Sequence, residues 1–393
     1  MVHLASALLI AGAALAIARP ATEIFERQTC ATSDKYPTVN VAKLPDPFTN
    51  AAGQKITTKA DFQCRAAEIN KILQQYELGT YPPPPDKLEA SLSGSTLTVK
   101  VTVGSNSVSY TASIKKGSSP APGPAIITVG GSSLPIPGTV GTIGFGNDDF
   151  AAQGGGSSRG KGKFYTLFGS GHSAGALTAW AWGIDRLIDA LEQLGPDKTG
   201  IDTKRLGVTG CSRNGKGAFL AGALVQRIAL TLPQESGSGG AACWRISDQQ
   251  KSAGKNIQTA GQIIGENVWF SKNFDPYTKA TSTIPADHHM LAALIVPRGL
   301  IPFENDIDWL GPVSTTGCMK AARLIYKAYG VPTNMGFSLT GGHSHCQFPS
   351  GQQAELTAYI NYFLLNSGTV PAAVERSTAT ADGWAPWDVP TLT

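Results

Sequence analysis

From residue 124 to residue 365 the chain alternates short β-branched runs with longer apolar-periodic segments, an order that few folds accept. Runs at 124–129 (PAIITV), 205–209 (RLGVT), 228–232, 299–303 and 334–339 read as strands. Segments at 173–194, 210–225, 249–269, 316–329 and 352–365 read as helices. Strands separated by helices pair in parallel, and the helices then cover both faces of the sheet. A helix is expected at 61–77, and the alternating stretches 89–103 and 108–114 read as a hairpin across Gly104. QGGGSSRGKGK at 153–163 reads as a flexible basic loop, and the tail 366–393 as irregular.

Residues 4–18 (LASALLIAGAALAIA) end in an Ala-x-Ala pattern. They read as a signal peptide, 1–18, cut after Ala18, and hence as a mark of a secreted, extracellular protein. Glu26-Arg27-Gln28 could close a short propeptide. The remaining 19–393 is expected to form one catalytic domain with irregular ends. Charged residues make up only 15%, and the net charge is +4, too small to argue for nucleic acid. No second apolar run is long enough for a membrane span. Six cysteines behind a signal peptide imply three disulfides, with every pairing open. No Cys-x-x-Cys is present, so zinc-ribbon and thioredoxin readings fail.

The chemistry concentrates at GCSRNGKG, residues 210–217, between a strand and a helix. A serine at such a turn is the nucleophile elbow of α/β-hydrolases, which lifts the hydroxyl above the sheet edge. The common pattern is G-x-S-x-G, and here the second glycine arrives one residue late. The same residues nearly spell a phosphate-binding loop, G-x-x-x-x-G-K, but Gly217 stands where a magnesium-binding Ser or Thr belongs.

A serine nucleophile needs a histidine base and an orienting acid. In this fold the base follows the last strand. His172 comes before the serine, and His288 and His289 come too early. His343 and His345 in GGHSHC remain. Cys211 abuts Ser212 and Cys346 abuts His345, so a Cys211–Cys346 bond would staple base to nucleophile and favours His345. A metal site from His343, His345 and the Asp287-His288-His289 run is the rival reading. The acid stays open: Glu235 follows one strand, whereas Glu304, Asp306 or Asp308 follows the next. Position alone slightly favours Glu304 or Asp306.

VTGCSRNGKGAF (208–219), LPQESG (232–237), AACWRISDQQ (241–250), ENDIDWLGP (304–312) and GGHSHCQFP (341–349) together resemble the fungal glucuronoyl esterases of carbohydrate esterase family fifteen. The resemblance runs from about Cys30 to Leu365. It implies an α/β-hydrolase three-layer sandwich with a mostly parallel twisted sheet. It implies a serine esterase that cleaves the ester between 4-O-methyl-D-glucuronic acid of glucuronoxylan and lignin alcohols, with no cofactor and no metal. It assigns Ser212 as nucleophile, His345 as base, Glu235 as acid and Arg213 as oxyanion donor. It places Lys216, Gln258, Glu266 and Trp309 at the sugar. It pairs Cys30 with Cys64 and Cys243 with Cys318. Residues 19–60 hold too few cysteines for the cellulose-binding module of some relatives, and a monomer without nucleic-acid or membrane partners is expected. The alternative is another cell-wall serine esterase, cleaving feruloyl or acetyl esters.

Overall fold

Strand β4 (Gly123–Val129) shows how the sequence builds the centre of the molecule. Ala125, Ile127 and Val129 face one apolar cluster, and Ile126 faces the other. A strand buried on both faces is apolar on both, which is why PAIITV, with Thr128 its one polar side chain, shows no alternation. Strand β6 (Ile201–Cys211), buried from Leu206 to Gly210, pairs with it, and β7 (Ile228–Gln234), buried throughout, pairs with β6 in turn. The computed structural model describes residues 30–393, so the signal segment and Glu26-Arg27-Gln28 lie outside the described residues.

The described residues form one eleven-stranded sheet. Its antiparallel end is β1 (Lys87–Ser93), β2 (Thr96–Val103) and β3 (Asn106–Lys115). Beyond it come β5 (Gly141–Phe145), then β4, β6, β7, β9 (Phe303–Asn305), β10 (Phe337–Thr340) and β11 (Glu375–Arg376), all parallel, while β8 (Gly299–Leu300) also pairs with β7. Helices Ala176–Leu194 and Arg213–Leu224 cover one face, and helix Gln353–Phe363 covers the other through Leu356, Tyr359 and Ile360. This is the three-layer α/β arrangement expected from the alternation.

Three expectations need correction. The stretch 89–103 is not one strand: Gly94, at φ 57°, opens a two-residue turn that splits it, and Gly104 opens the next. Strand β5 was not foreseen, because its glycines carry no strand signal. Gly141 nevertheless meets backbone too closely for a side chain, and Gly144 leaves room for the Ser113 hydroxyl. A Cβ there would lie 2.8 Å from Lys115 O and 2.7 Å from Ser113 Oγ. The segment 249–269 is not one helix. Trp244–Ser252 ends before Gly254, at φ 79°, and Ala260–Glu266 starts afresh behind a capping box of Thr259 and Gln262. Gln258 thus sits on the connection between two short helices.

Candidate active site

The elbow follows from steric crowding. Ser212 takes φ 59°, ψ −124°, a conformation that L-residues hold only under constraint. A Cβ on Gly210 would lie 2.5 Å from Asn214 O, and one on Gly215 would lie 2.4 Å from Gln234 O. Residue 215 is therefore the one that crosses β7, which explains the late second glycine. One residue further, Gly217 lets the helix close on Trp180, 2.8 Å from where its Cβ would be. Ser212 N donates to Gln234 O at 2.9 Å, tying the elbow to β7. The phosphate-loop reading fails here, because Lys216 Nζ is turned inward and donates to Ser236 O at 2.5 Å.

Cys211 and Cys346 are bonded, with Cα atoms 5.9 Å apart, so the loop bearing His345 lies against the elbow. His345 Nδ1 is 2.7 Å from Glu235 Oε2, which also accepts from Cys346 N at 2.8 Å. A carboxylate only accepts, so Nδ1 carries the proton and Nε2 presents a lone pair. The side chain of His345 keeps 30% of its surface exposed, so the ring opens to solvent. Glu235 is 1% exposed and reaches the ring from a left-handed backbone at φ 43°.

The carboxylate that His345 meets is Glu235 and not Glu304 or Asp306, which position alone favoured. Glu304 accepts from Ser236 N and Gly237 N, away from the histidine. Asp306 fills the space that a side chain at Gly341 would need. The residues of the metal reading are not brought together either. His288 is held between Glu77 Oε1, at 2.6 Å, and Gly240 O, at 2.7 Å, and His289 Nε2 lies 2.9 Å from Pro45 O. His343 instead sits beside Glu235, Nδ1 3.7 Å from Oε1, and is bonded by Asn305 Nδ2 at 3.1 Å.

Of the four residues assigned to the sugar, Trp309 touches this centre, Gln258 and Glu266 connect to Trp309, and Lys216 bonds Ser236 beside Glu235. Trp309 meets the His345 ring edge-on at a centroid distance of 4.9 Å. Gln258 N donates to Trp309 O at 3.2 Å, and Gln258 Nε2 donates to Glu266 Oε2 at 3.1 Å. The Cys243–Cys318 bond anchors the start of this segment, and Cys30–Cys64 fastens the N-terminal stretch to helix Lys59–Leu73. Burial lowers the Lys216 amine to about 8, against the upward pull of Glu304 and Glu266.

Two residues went unnoticed in the sequence. Trp269 lies under both cations, 5.8 Å from the Arg213 guanidinium and 5.7 Å from Lys216 Nζ. Gln153 holds that ring through Trp269 Nε1 at 2.8 Å and accepts Asn267 Nδ2 on its own carbonyl. Neither carries a motif, and only the folded chain brings residue 153 to residue 269.

The family described as fungal glucuronyl esterase matches residues 99–330. This chain belongs to that family. It is accordingly a carboxylic ester hydrolase. It is 74% identical to a 4-O-methyl-glucuronoyl methylesterase of Neurospora crassa, over 100% of both chains. It is 70% identical to that of Thermothelomyces thermophilus, again over 100% of both. Among solved structures it resembles a recombinant glucuronoyl esterase from Sporotrichum thermophile, with TM-score 0.91 and 70% identity, covering 93% of this chain and 100% of the other. A serine-to-alanine mutant of the Sporotrichum enzyme, in complex with methyl 4-O-methyl-beta-D-glucopyranuronate, matches with TM-score 0.92 and 69% identity, over 93% of this chain and 100% of that one. The catalytic domain of the Hypocrea jecorina enzyme matches at 0.89 and 54%, over 91% and 99%.

Proposed function

We propose that this esterase cleaves the ester between 4-O-methyl-D-glucuronic acid of glucuronoxylan and lignin alcohols, through an acyl-enzyme on Ser212. The contact that carries the reading is the 2.7 Å bond from His345 Nδ1 to Glu235, beside an elbow serine. Ser212 Oγ attacks the ester carbonyl and passes its proton to His345 Nε2. Glu235 holds the ring and stabilises the imidazolium. The oxyanion forms at the start of helix Arg213–Leu224, where backbone N–H groups lack intrahelical partners. The Arg213 guanidinium, held over Trp269, adds positive charge beside it in this reading. Collapse of the tetrahedral intermediate expels the alcohol, which takes the proton from His345. Water, activated by the same histidine, then frees the uronic acid. No step needs a metal or a redox group.

Lys216, Gln258, Glu266 and Trp309 bind the sugar in this reading. Lys216 gives one hydrogen to Ser236 and keeps two for uronate hydroxyls. KM is expected to rise as pH climbs through about 8, where the folded protein gives up that charge. Lys216→Met should raise KM about tenfold or more and flatten this rise, a charged hydrogen bond being worth about 1.5–3 kcal/mol. An unchanged KM at pH 6 would remove Lys216 from the sugar site. We further propose that residues 19–393 act as a single secreted catalytic domain, monomeric in solution.

Substrate class is tested by rates on benzyl glucuronate, methyl ferulate and p-nitrophenyl acetate. Preference for the glucuronate is expected. Preference for the ferulate or acetate would assign the chain to the feruloyl or acetyl esterase alternative.

A further inference from the structure

Glu304 is buried on β9, between β7 and β10, 1% exposed, and the mechanism above leaves it unused. Its Oε1 accepts from Ser236 N at 2.9 Å and from Ser236 Oγ at 2.7 Å, and its Oε2 accepts from Gly237 N at 3.3 Å. The chain curls around this carboxylate: Glu235, at φ 43°, and Gly237, at φ 52°, both adopt left-handed backbone on either side of Ser236. A non-glycine residue leaves that region unless its surroundings hold it there. Lys216 Nζ takes the Ser236 carbonyl from the other side, and Ala241 N donates to Ser236 Oγ. Ser236 is therefore gripped at its N–H, its hydroxyl and its carbonyl.

We propose that Glu304 is a positioning residue: its carboxyl grips Ser236 and Gly237 and so fixes the left-handed backbone from which Glu235 reaches His345. The inference rests on Glu235 being the acid of the triad. A buried carboxyl is expensive without a purpose. Burial pushes Glu304 up to about 7 despite its three donors, and the neighbouring Glu235 charge adds to the rise. The charged groups facing it are Lys216, from the elbow helix, and Glu235, from the end of β7.

The test uses the full chain and methyl 4-O-methyl-glucuronate, with kcat expressed per site titrated by a serine-reactive phosphonate. Glu304→Leu should lower kcat about 10²-fold, the scale of a roughly 1 Å misplacement. Glu304→Gln keeps an acceptor for Ser236 and should recover most of the lost kcat. Wild-type kcat per site in Glu304→Leu, with only a lower unfolding midpoint, would reduce Glu304 to a structural role. If Glu304→Leu does not fold, Ser236→Ala decides: a fall in kcat of about tenfold is expected, since an orienting hydrogen bond is lost, and wild-type kcat overturns the proposal. Ser212→Ala, which offers no serine to titrate and is read per mole of folded protein, and Glu235→Ala run alongside. Full activity in either would sink the triad itself, whereas full activity in the Glu304 and Ser236 variants alone sinks only this inference.

Discussion

Ser212→Ala is expected to lower kcat on methyl 4-O-methyl-glucuronate about 10⁶-fold, the cost of removing the nucleophile from a serine hydrolase. The loss should be chemical and not structural. Alanine keeps the Cβ at φ 59°, and the backbone bond from residue 212 to Gln234 O does not involve the hydroxyl. The unfolding midpoint should therefore stay near that of the wild type, and Kd for the uronate should change by less than about threefold, since a nucleophile acts in the transition state. Residual turnover would come from the oxyanion site and from binding alone. Single-turnover kinetics with calorimetric binding to the same preparation separates the two effects.

Glu235→Ala should cost about 10⁴-fold in kcat, close to the loss of the orienting acid in other triads. The reason is visible in the two bonds that converge on Oε2, from His345 Nδ1 and from Cys346 N. Without them the imidazole is free to turn or to adopt the other tautomer, and its charged form loses its partner. His343 does not compensate, because it approaches the vacated position as a histidine, not as an acid, and its Nδ1 already takes a bond from Asn305. Asn305 holds His343 from the strand that bears Glu304, so neither of these neighbours supplies a carboxylate to His345. A Glu235→Ala enzyme with kcat within tenfold of the wild type would show that another carboxylate orients His345.

The sequence already displayed the parts that rest on close backbone packing. Gly210, Gly215 and Gly217 mark the elbow, because three separate contacts forbid a side chain there. The neighbouring Cys211 and Cys346 singled out His345 over His343, because a bond between those cysteines requires their neighbours to be close. The acid was harder to read. Its usual place in the fold follows the next strand, and Glu304 does lie there, yet it turns to Ser236 instead. Only the left-handed turn at residue 235 brings the earlier glutamate to the base, and nothing in LPQESG announces a positive φ at Glu235. Family resemblance supplied that assignment where residue patterns did not. Trp269 and Gln153 were invisible for a different reason: they act by long-range contact, 116 residues apart.

The central claim is that Ser212, His345 and Glu235 act as one unit. It is tested most directly by kcat for the Ser212→Ala/His345→Ala double variant beside the two single variants. Residues that serve a single step are not additive, so the double variant should be no slower than Ser212→Ala alone. A further loss in the double variant, equal to that of His345→Ala by itself, would contradict the account, because the histidine would then be acting on something other than the serine.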